Sequence, residues 1–521
     1  MWFKRSNESV SSQSKELGTQ SATAFTEHSD VQVDDKKWPS IQDPTYFSAP
    51  WKEYLFIFAS MMSQLLNQAG TTQTLSLINI LSKNFDSSTS QQTWLMASFP
   101  LVSGSFILVS GKIGDIYGLK KTLLVGYVVT IIWSLICGLT SYTSSVEFFI
   151  ISRAFQGLGI AFILPNIMGI VGNIYVAGTT RKNMVISLIG ACAPIGATMG
   201  VLFSGLIGTL SERWAWTFYA YTITAAINMG LSIWVISNTI PTNVGGSSMD
   251  WIGSGIGLLG MILCNFVWNQ GHIVGWDTAY IIVLLIVSVA AIVAFFLYET
   301  KYANDPLIPR PAMHNHRLLM TLLAVFFGWG SFGIWTFYYF CFVLNLREYT
   351  PLWAGGSYFM FLIWGIIAAI SVGYTIKRIP PSLILFLSML AFDCGCIMLS
   401  VTPVDQTYFR MILGMMIILS FGMDLSFPAS SIILSDELPM ENQGMAGSLV
   451  STMINYSMSM CLGIAGTVEH QINKNGDDLL KGYRAALYLG IGLASLGVFI
   501  SALFMLENYL RMRRRNVKEE V

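Results

Sequence analysis

The sequence predicts an all-α polytopic membrane protein with fourteen transmembrane helices. The chain has 521 residues, of which 53% are hydrophobic and only 11% are charged, and its mean hydropathy is +0.58. In soluble proteins about a quarter of the residues are charged. Apolar runs of about 20 residues recur along the sequence, and each is long enough to cross a bilayer as a helix.

Fourteen such runs can be counted, and we number the predicted helices 1 to 14 in chain order. The formal net charge is zero, so the composition gives no reason to expect a nucleic-acid partner. The runs cover approximately residues 54–80, 93–111, 122–140, 147–170, 184–209, 216–237, 252–270, 278–298, 318–343, 352–375, 381–401, 408–434, 443–468 and 484–506.

The distribution of lysine and arginine predicts the orientation of the chain. If the N-terminus lies in the cytosol, the inside segments carry 21 of these residues and the outside loops carry 5. The remaining three, Arg153, Arg410 and Arg484, lie in or at the edges of predicted helices. Because basic residues are enriched in cytoplasmic loops, we expect both termini in the cytosol.

The two ends of the chain differ from its apolar middle. Residues 1–50 are rich in Ser, Thr and Gln, cannot bury a core, and are expected to form a disordered cytosolic tail. They have no basic start followed by an apolar run, so no cleaved signal peptide is expected. Residues 508–521, which include RMRRRNVKEE, are expected to form a basic cytosolic tail that fixes the topology or attracts anionic lipid.

The placement of cysteine and histidine excludes several chemistries. All seven cysteines fall inside predicted helices, so a disulfide framework is not expected. His272 and His470 are predicted in outside loops, and His314 and His316 in an inside loop, so we expect no haem, metal or other cofactor. No GxxxxGK[ST] loop for ATP occurs. The chain is predicted not to be an enzyme, and a transporter driven by an ion gradient is the leading class.

The segment GKIGDIYGLKK, residues 111–121, is predicted to be the cytosolic link between helices 2 and 3. Its glycines permit a tight turn and a close helix approach, and Asp115 can meet the N-terminus of another helix. The segment resembles the signature loop of the major facilitator superfamily, G-x-L-A-D-x-x-G-x-K in loose form. The positions that match are Gly111, Ile113, Gly114, Asp115, Gly118 and Lys120.

This resemblance implies a conformational latch. In that family the aspartate docks against the opposite half of the molecule and helps to hold the outward-open state. Carried over to this chain, the partner of Asp115 would be the start of helix 13, near Gln443 and Gly444. Ile116 and Leu119 stand where the family usually has arginines, which weakens the ionic part of the latch.

Helix 4 carries a second family pattern. An arginine inside a membrane helix costs about 3 kcal/mol on insertion scales, so Arg153 should face a partner or a cavity. The alternative, snorkelling to the interface, is disfavoured because Arg153 lies some residues inside the end of the helix. The residues that match the superfamily pattern R-x-x-Q-G-x-G-x-A are Arg153, Gln156, Gly157, Gly159 and Ala161.

Helix 5, GACAPIGATMGVLFSGLIG, is similar to the antiporter motif of the same superfamily. Gly196, Gly200 and Ser204 form a small-xxx-small stripe, and Pro194 interrupts the helical hydrogen bonds. Ala193 replaces the glycine that precedes this proline in the family. General helix packing is therefore the alternative to an antiporter role.

Fourteen helices fit one branch of the superfamily, the fourteen-spanner drug:proton antiporters. MDWIG at 249–253 and PLIP at 306–309 flank the predicted helices 7 and 8 as they do in that branch. The segments FFGWGSFGIWTFYYF, LWAGGSYFMFLIWGIIA and MIILSFGMDLSFPASSIILSDELP are very similar to the yeast aminotriazole-resistance and borate-efflux transporters of the branch. The resemblance implies a plasma-membrane exporter with a six-helix bundle at 51–240, a central helix pair with its loops at 241–316, and a second six-helix bundle at 317–507.

The superfamily lines a central cavity with the first and fourth helices of each half, here helices 1, 4, 9 and 12. Four polar residues of helix 1 recur at i, i+3, i+4 and i+7, where their amides could line the cavity or hydrogen-bond neighbouring helices. Helix 9 contributes aromatic residues, Trp329 among them, and some of these are expected to face lipid. The candidate cavity residues are Gln64, Asn67, Gln68, Thr71, Gln156, Trp335, Tyr338 and Tyr339.

Asp424 lies in the middle of predicted helix 12, between Gly422 and Pro428. Burial disfavours the charged form of an isolated carboxyl group, so such a residue can bind and release a proton as a cavity opens to either side. We predict Asp424 as the proton carrier and Arg153 as a charge that modulates it. A hydrogen-bonded structural acid is the alternative. Asp393, in the peripheral helix 11, is the second candidate.

The sequence thus predicts a proton-coupled antiporter that exports small toxic compounds by alternating access, with boric acid and aminotriazole-like compounds as substrates. Predicted helix 1 has no acidic residue, unlike many multidrug relatives, which favours a small polar or neutral substrate over a large cation. A proton-coupled importer of a small polar nutrient and a nutrient sensor without transport are the alternatives. The expected partners are the substrate, protons and the lipid bilayer, and a monomer is expected.

Overall fold

The computed structural model describes residues 47, 49–88, 91–175, 179–211, 213–238, 240, 248–375, 378–438, 445–473 and 478–519. The described residues from Ala49 onward form one compact unit. Within these ranges every regular element is helical, which confirms the predicted all-α class. We number the fourteen long helices α1 to α14 in chain order and refer to the short helices by their ranges.

Helices α1 to α6 form the N-terminal half. A 3₁₀ turn at Leu75–Leu77 and a short helix at Ile78–Phe85 follow α1, and a 3₁₀ turn at Thr140–Tyr142 follows α3. The bounds of the long helices are Pro50–Thr72 (α1), Gln92–Tyr117 (α2), Leu119–Leu139 (α3), Val146–Ile174 (α4), Thr180–Leu210 (α5) and Trp216–Val235 (α6).

Helices α7 and α8 are the central pair, and α9 to α14 form the C-terminal half. Short helices at Arg310–Met313 and Pro351–Ser357 precede α9 and α10, and a π-helical turn at Phe342–Leu346 extends α9. The bounds are Trp251–Val274 (α7), Ala279–Lys301 (α8), His316–Cys341 (α9), Phe359–Thr375 (α10), Pro381–Val401 (α11), Ile412–Glu437 (α12), Met445–Asn473 (α13) and Leu479–Glu519 (α14).

Thirteen helices in the described part of the chain, α2 to α14, are long and apolar enough to cross a membrane. α1 has 23 residues, which is sufficient length for a span, but it is more polar. Its polar side chains are partly buried inside the protein; Ser60 and Ser63 donate to the carbonyls of Phe56 and Ala59, both at 2.8 Å. The structure therefore agrees with the predicted fourteen spans.

Several predicted boundaries were wrong for local reasons. Residues 111–117 are the last turns of α2 rather than a loop, and Gly118 alone separates α2 from α3. Gly118 has a φ of +115°, which glycine adopts at little cost. α14 continues to Glu519, so the basic segment that begins at 508 extends this helix. His272 and His470, predicted in loops, lie in the last turns of α7 and α13.

The start of α1 corrects a further prediction. Because α1 begins at Pro50, it contains Glu53, so the statement that the first helix has no acidic residue is wrong. Glu53 is buried, pairs with Arg181 of α5 and accepts a hydrogen bond from the Tyr175 hydroxyl at 3.0 Å. This acid links α1 to α5 and to the end of α4, and it lies at one end of the helix bundle.

Two seams join the halves: α2 against α13, and α5 against α10 with helix Pro351–Ser357. A Cβ on Gly104 of α2 would lie 2.5 Å from the Tyr456 nitrogen, and one on Gly355 would lie 2.5 Å from the Val201 carbonyl oxygen. Both distances are far inside van der Waals contact, so the backbones approach this closely only because the residue is glycine.

The central pair packs on the first of these seams, because α7 contacts both α13 and α2. Asn265 Nδ2 donates to the Tyr456 carbonyl at 3.4 Å, and Asn269 Nδ2 donates to the Ser459 carbonyl at 3.2 Å. The Ser459 hydroxyl lies 2.9 Å from both Asn265 Oδ1 and the Ala97 carbonyl of α2. These polar contacts tie the central pair to α13 and extend to the N-terminal half.

The connection between α8 and α9 folds against the end of α2. Lys112 Nζ donates to the Pro306 carbonyl at 3.3 Å. Asp305 accepts from the backbone N–H of Ser248 at 2.9 Å and from its hydroxyl at 3.0 Å, and these hydrogen bonds hold the pKa of the Asp305 carboxyl below its ordinary value. Part of the GKIGD segment therefore contacts the central connection.

Candidate functional site

Asp424 lies at the centre of α12, with 8% of its surface exposed. Its Oδ2 atom is buried and has no hydrogen-bond partner among the described residues. A buried carboxylate without a donor is costly, whereas the protonated form tolerates an apolar environment. This environment suits a group that binds and releases a proton, as the sequence predicts.

Asp424 Oδ2 faces the second seam between the halves. A Cβ on Gly365 of α10 would lie 2.8 Å from this oxygen, and 2.5 and 2.8 Å from Cβ and Cγ of Pro194 on α5. The carboxyl group and the proline ring therefore both lie against α10 at Gly365, where the helix has no side chain. Two residues predicted separately, the proton candidate and the proline of the antiporter motif, are brought together here.

Aromatic rings pack beside this carboxyl group. Tyr358, which directly precedes α10, interacts electrostatically with Asp424. The Tyr358 ring centroid lies 4.7 Å from that of Phe361 and 6.4 Å from that of Trp335 on α9. These rings connect the start of α10 to α9 within the C-terminal half.

The four aromatic residues proposed on α9 are all buried, so the expectation that some of them face lipid is wrong. Trp329, Trp335, Tyr338 and Tyr339 expose 3% of their surface or less. The physical reason is the central position of α9, which contacts α11, α12, α13 and α14. The Trp335 and Tyr339 rings stack at 5.3 Å and 12°, and the Tyr339 hydroxyl lies 2.6 Å from Ser357 Oγ.

Among the predicted cavity residues of α1, Gln68 lies against Gly196 of α5. Gln64 and Gln68 are partly exposed, and Asn67 and Thr71 are buried. Thr71 Oγ1 donates to the Asn67 carbonyl at 3.1 Å, and Asn67 Oδ1 has no hydrogen-bond partner among the described residues. These residues can offer donors and acceptors to a small polar ligand.

Helix α5 packs on α1 through the stripe that the sequence indicated. A Cβ on Gly196 would lie 2.5 Å from the Leu65 carbonyl oxygen, and one on Gly200 would lie 2.9 Å from the Ala69 carbonyl oxygen. The stripe therefore packs α5 within its own half, while Pro194 faces the opposite half.

Arg153 of α4 is fully buried, so it does not snorkel. Its guanidinium donates to the Gly70 carbonyl at 2.7 Å and to Gln156 Oε1, and lies 4.9 Å from the Phe99 ring centroid. Gln156 Nε2 in turn donates to Ser134 Oγ at 2.8 Å. The structure thus places Arg153 and Gln156 in one network that joins α1, α3 and α4, and none of these contacts includes Asp424.

Asp393, the second proton candidate, lies on α11 and contacts α14. It is partly buried, and its carboxylate accepts from the Ser495 hydroxyl of α14 at 3.4 Å. The described contacts of Asp393 therefore join α11 to α14, away from the seams.

The signature segment supplies packing and helix-end contacts. A Cβ on Gly114 would overlap the amide of Asn166 on α4. Lys120 Nζ donates to the carbonyls of Ile233 and Ile236 and to Asn238 Oδ1, the last at 2.7 Å, and so caps α6 in its own half. Asp115 is partly buried, and its predicted partners Gln443 and Gly444 lie outside the described residues, so the latch stays a prediction.

The second seam is closed at one end of the bundle. We call the end at which α1 begins the inner end and the opposite end the outer end. At the outer end, the Leu352 N–H donates to Thr209 Oγ1 at 2.9 Å, and Gly205 packs against the Pro351 carbonyl. The structure therefore represents an outer-closed conformation.

Sequence reasoning missed Gly365 and the Asn265–Asn269–Ser459 cluster. The asparagines carry a usable signal, because two amides four residues apart on an apolar helix mark one polar stripe. Gly365 carries none, because one glycine in LIWGIIA does not indicate which side chains converge on it.

Comparisons with known proteins agree with this fold. A sequence profile of the Major Facilitator Superfamily matches residues 57–249 and 245–464. The chain is 65% identical over 501 residues to the aminotriazole resistance protein of Saccharomyces cerevisiae, an alignment that covers 96% of this chain and 92% of the relative. It is 39% identical to the low affinity ammonium transporter of the same yeast, with 91% and 92% of the two chains covered.

More distant relatives include an exporter and solved structures. The efflux pump terJ of Aspergillus terreus is 36% identical, with 88% of this chain and 89% of the pump covered. A crystal structure of a POT family transporter matches with a TM-score of 0.65 at 13% identity, covering 87% of this chain and 96% of that chain. At this identity the likeness supports the fold alone.

Proposed function

We propose that this chain, which belongs to the Major Facilitator Superfamily and is a transporter of its drug-efflux type, exports small polar toxic compounds in exchange for protons. Asp424 carries the exchanged proton. The observation that carries this proposal is the buried Oδ2 of Asp424, which has no donor among the described residues and meets Pro194 of the opposite half at Gly365. Asp393 remains the second candidate.

The substrate we propose is a small polar or neutral molecule, with aminotriazole-like heterocycles and boric acid as the leading examples. The name of the 65% identical relative supports resistance to aminotriazole. The partly exposed Gln64 and Gln68 of α1 support hydrogen bonding to such a molecule. The acid of α1, Glu53, is paired with Arg181 and is therefore not presented to a large cation. Arg153 acts on Asp424 only through the fold, since the described contacts of the two residues do not overlap.

The location and assembly follow the same proposal. The protein works as a monomer in the plasma membrane, with both termini in the cytosol. The excess of lysine and arginine in the predicted inside segments supports this orientation, which makes the outer end of the bundle extracellular.

Uptake of a small nitrogen compound is the second candidate function. The observation that favours it is the 39% identity to the low affinity ammonium transporter over most of both chains. Exchange and uptake differ in the direction of proton flow relative to substrate, so one experiment separates them.

The test is transport by the purified protein in liposomes. Labelled aminotriazole, boric acid and methylammonium are offered to vesicles with an acidic lumen, an alkaline lumen or no gradient, with protein-free vesicles as the baseline. Accumulation driven by an acidic lumen indicates proton exchange, and accumulation driven by an alkaline lumen indicates proton-coupled uptake.

Two variants locate the proton site. Asp424→Asn should abolish gradient-driven accumulation while it keeps exchange of labelled for unlabelled substrate. Asp393→Asn is the matched control, because it removes the same chemical group from α11, and it should behave as the wild type. Driven transport that survives in Asp424→Asn and disappears in Asp393→Asn would transfer the role to Asp393.

A further inference from the structure

Gly365 is the point at which the buried acid of the C-terminal half meets the N-terminal half. Asp424 belongs to α12, Gly365 to α10 and Pro194 to α5, and all three lie near the middle of their helices. The position of a Cβ on Gly365 would be 2.8 Å from Asp424 Oδ2 and 2.5 Å from Pro194 Cβ. Those two atoms are therefore no farther apart than the sum of these distances, and both lie beside the bare face of α10 at Gly365.

The need for glycine at this position comes from space and not from backbone conformation. Among the described glycines, positive φ values occur at Gly118 and Gly275, so Gly365 has an ordinary helical backbone. Any side chain would overlap a proline ring fixed to the opposite half, which cannot rotate away as a flexible chain could. The cost of the glycine in the helix is about 1 kcal/mol relative to alanine, so its presence points to this contact.

The contact between Asp424 and Pro194 does little to stabilise a negative charge on the carboxyl group. Proline has no backbone N–H, so Pro194 supplies no donor. Asp424 Oδ2 has no hydrogen-bond partner among the described residues. The neutral acid fits such a place, whereas the carboxylate would remain unsolvated.

The titratable groups on the neighbouring helices can be placed as well. Tyr358 beside α10 interacts with Asp424. Further titratable groups on these helices make contacts away from Asp424. They include Asp393 on α11, hydrogen-bonded to Ser495; Tyr339 on α9, hydrogen-bonded to Ser357; Tyr338 on α9, whose ring lies 5.6 Å from that of Tyr483 on α14; Tyr456 on α13, which donates to the Met261 carbonyl; and Glu469 on α13, which accepts from Asn473. Buried thiols lie at Cys192 on α5, Cys341 on α9, Cys396 on α11 and Cys461 on α13.

We propose that Gly365 is the positioning residue through which the protonation state of Asp424 controls the seam between α5 and α10. This proposal rests on the proposed function. When Asp424 is protonated, the neutral carboxyl packs against Pro194 and the seam closes, as it is in this structure. When Asp424 loses its proton, the charge requires water, and the seam separates.

The direction of this coupling suits an exporter. A proton that arrives from the outer side closes the outer end of the seam and returns the protein to the state that faces the cytosol. Loss of the proton at the inner side, together with substrate binding, then permits the outer end to open. Protons and substrate thus move in opposite directions.

The experiment measures the outer end of the seam by spin-label distances in lipid nanodiscs. Labels are placed at Leu210→Cys on α5 and Trp353→Cys on the helix before α10, two exposed positions. Cys394 is replaced by serine, since it is exposed and the other six cysteines are buried. In this background the wild-type distance should lengthen as the pH rises, and in Asp424→Asn it should stay short at every pH.

Gly365→Ala should give the long distance at every pH, because the added methyl group prevents closure. The matched control is Gly356→Ala, at which the nearest atom to a new Cβ is 3.8 Å away, and it should follow the wild-type pH profile. Pro194→Gly in the Gly365→Ala background removes the overlapping ring carbons and should restore much of the short-distance population.

The outcomes separate this proposal from the proposed function. If Gly365→Ala retains the wild-type pH profile, the role of Gly365 is overturned. If Asp424→Asn retains that profile and driven transport, the proton-carrier assignment fails first. Should Gly365→Ala not fold, Pro194→Gly alone decides the question. It loosens the contact without overpacking, so it should reduce the pH-dependent change, and an unchanged response contradicts the proposal.

Discussion

Arg153 and Asp424 occupy corresponding places, each on the fourth helix of its half, and each is buried, but their surroundings differ. Arg153 donates to the Gly70 carbonyl and to Gln156, and its guanidinium lies over the Phe99 ring. Asp424 Oδ2 has no partner among the described residues. The difference teaches that burial of an ionisable residue in a membrane helix does not by itself indicate function. Whether the buried group has hydrogen-bond partners must be considered as well.

The chemical reason lies in what the two groups require. A guanidinium needs acceptors, and an α-helical bundle provides them as carbonyls wherever a helix end or an amide side chain is near. A carboxylate needs donors, and the N–H groups of helix interiors are already used. Asp424 is left beside Pro194, which lacks that group altogether.

The strongest test of this comparison measures the stability and the transport activity of one variant at each residue. Arg153→Ala should lower the free energy of unfolding by about 3 kcal/mol or more, because it removes the charged hydrogen bonds to Gln156 and the Gly70 carbonyl and opens a cavity. Asp424→Asn should leave the unfolding temperature within a few degrees of the wild type while it removes proton-driven transport. Thermal unfolding in detergent followed by tryptophan fluorescence measures the first effect. Equal destabilisation by both variants would remove the distinction.

A second prediction concerns the seam that separates the two sites. Gly355→Ala places a methyl group 2.5 Å from the Val201 carbonyl oxygen, so it should cost about 1–3 kcal/mol of the outer-closed state. Its neighbour Gly356→Ala should be close to neutral. The spin-label distance between Leu210→Cys and Trp353→Cys, in the Cys394→Ser background, reports the opening. Similar distances in both alanine variants would argue against the seam as the outer closure.

The third prediction concerns Asn265 of the central pair, which, like Arg153, is hydrogen-bonded to neighbouring helices. Asn265→Leu removes hydrogen bonds to Tyr456 and Ser459, and interhelical bonds of this kind contribute about 1 kcal/mol in membranes. The variant should lower the unfolding temperature by a few degrees and leave the pH profile of transport unchanged. A shifted pH profile with intact stability would instead connect the central pair to the proton site.

The smallest effect is expected at Lys120, where the family motif and the structure suggest different roles. Lys120→Ala removes a cap from the C-terminus of α6, a contribution of about 0.5 kcal/mol. Lys121→Ala is the control, one residue away. Both variants should transport at near wild-type rates, and a selective loss of transport in Lys120→Ala would favour the latch.

The sequence predicted most of the fold because lipid imposes long apolar helices, and the count of fourteen follows from hydropathy. The prediction was wrong where the structure of a segment depends on the helices packed around it. The glycines and lysines of residues 111–117 predict a loop, but they form the last turns of α2, because packing such as that of Gly114 against Asn166 supports the helix. The aromatic residues of α9 were expected in part to face lipid, because their burial depends on four surrounding helices.

The candidate site was predictable only in part, for the same reason. Asp424 was found because an acid in the middle of an apolar run is rare. Its neighbours Pro194 and Gly365 come from two other helices, and Gly365 has no side chain whose chemistry could signal a role. The convergence of the three residues is a property of the packed bundle alone.

The central pair also has a consequence for the surrounding lipid. α7 lies over the seam between α2 and α13, and the strongly apolar α8 packs on α7. No such pair covers the seam between α5 and α10 in the described part of the molecule. The two lateral faces of the transporter therefore differ. The central pair blocks access for a membrane-dissolved compound at the seam between α2 and α13. A lateral route from the bilayer to the interior would therefore run past α5 and α10.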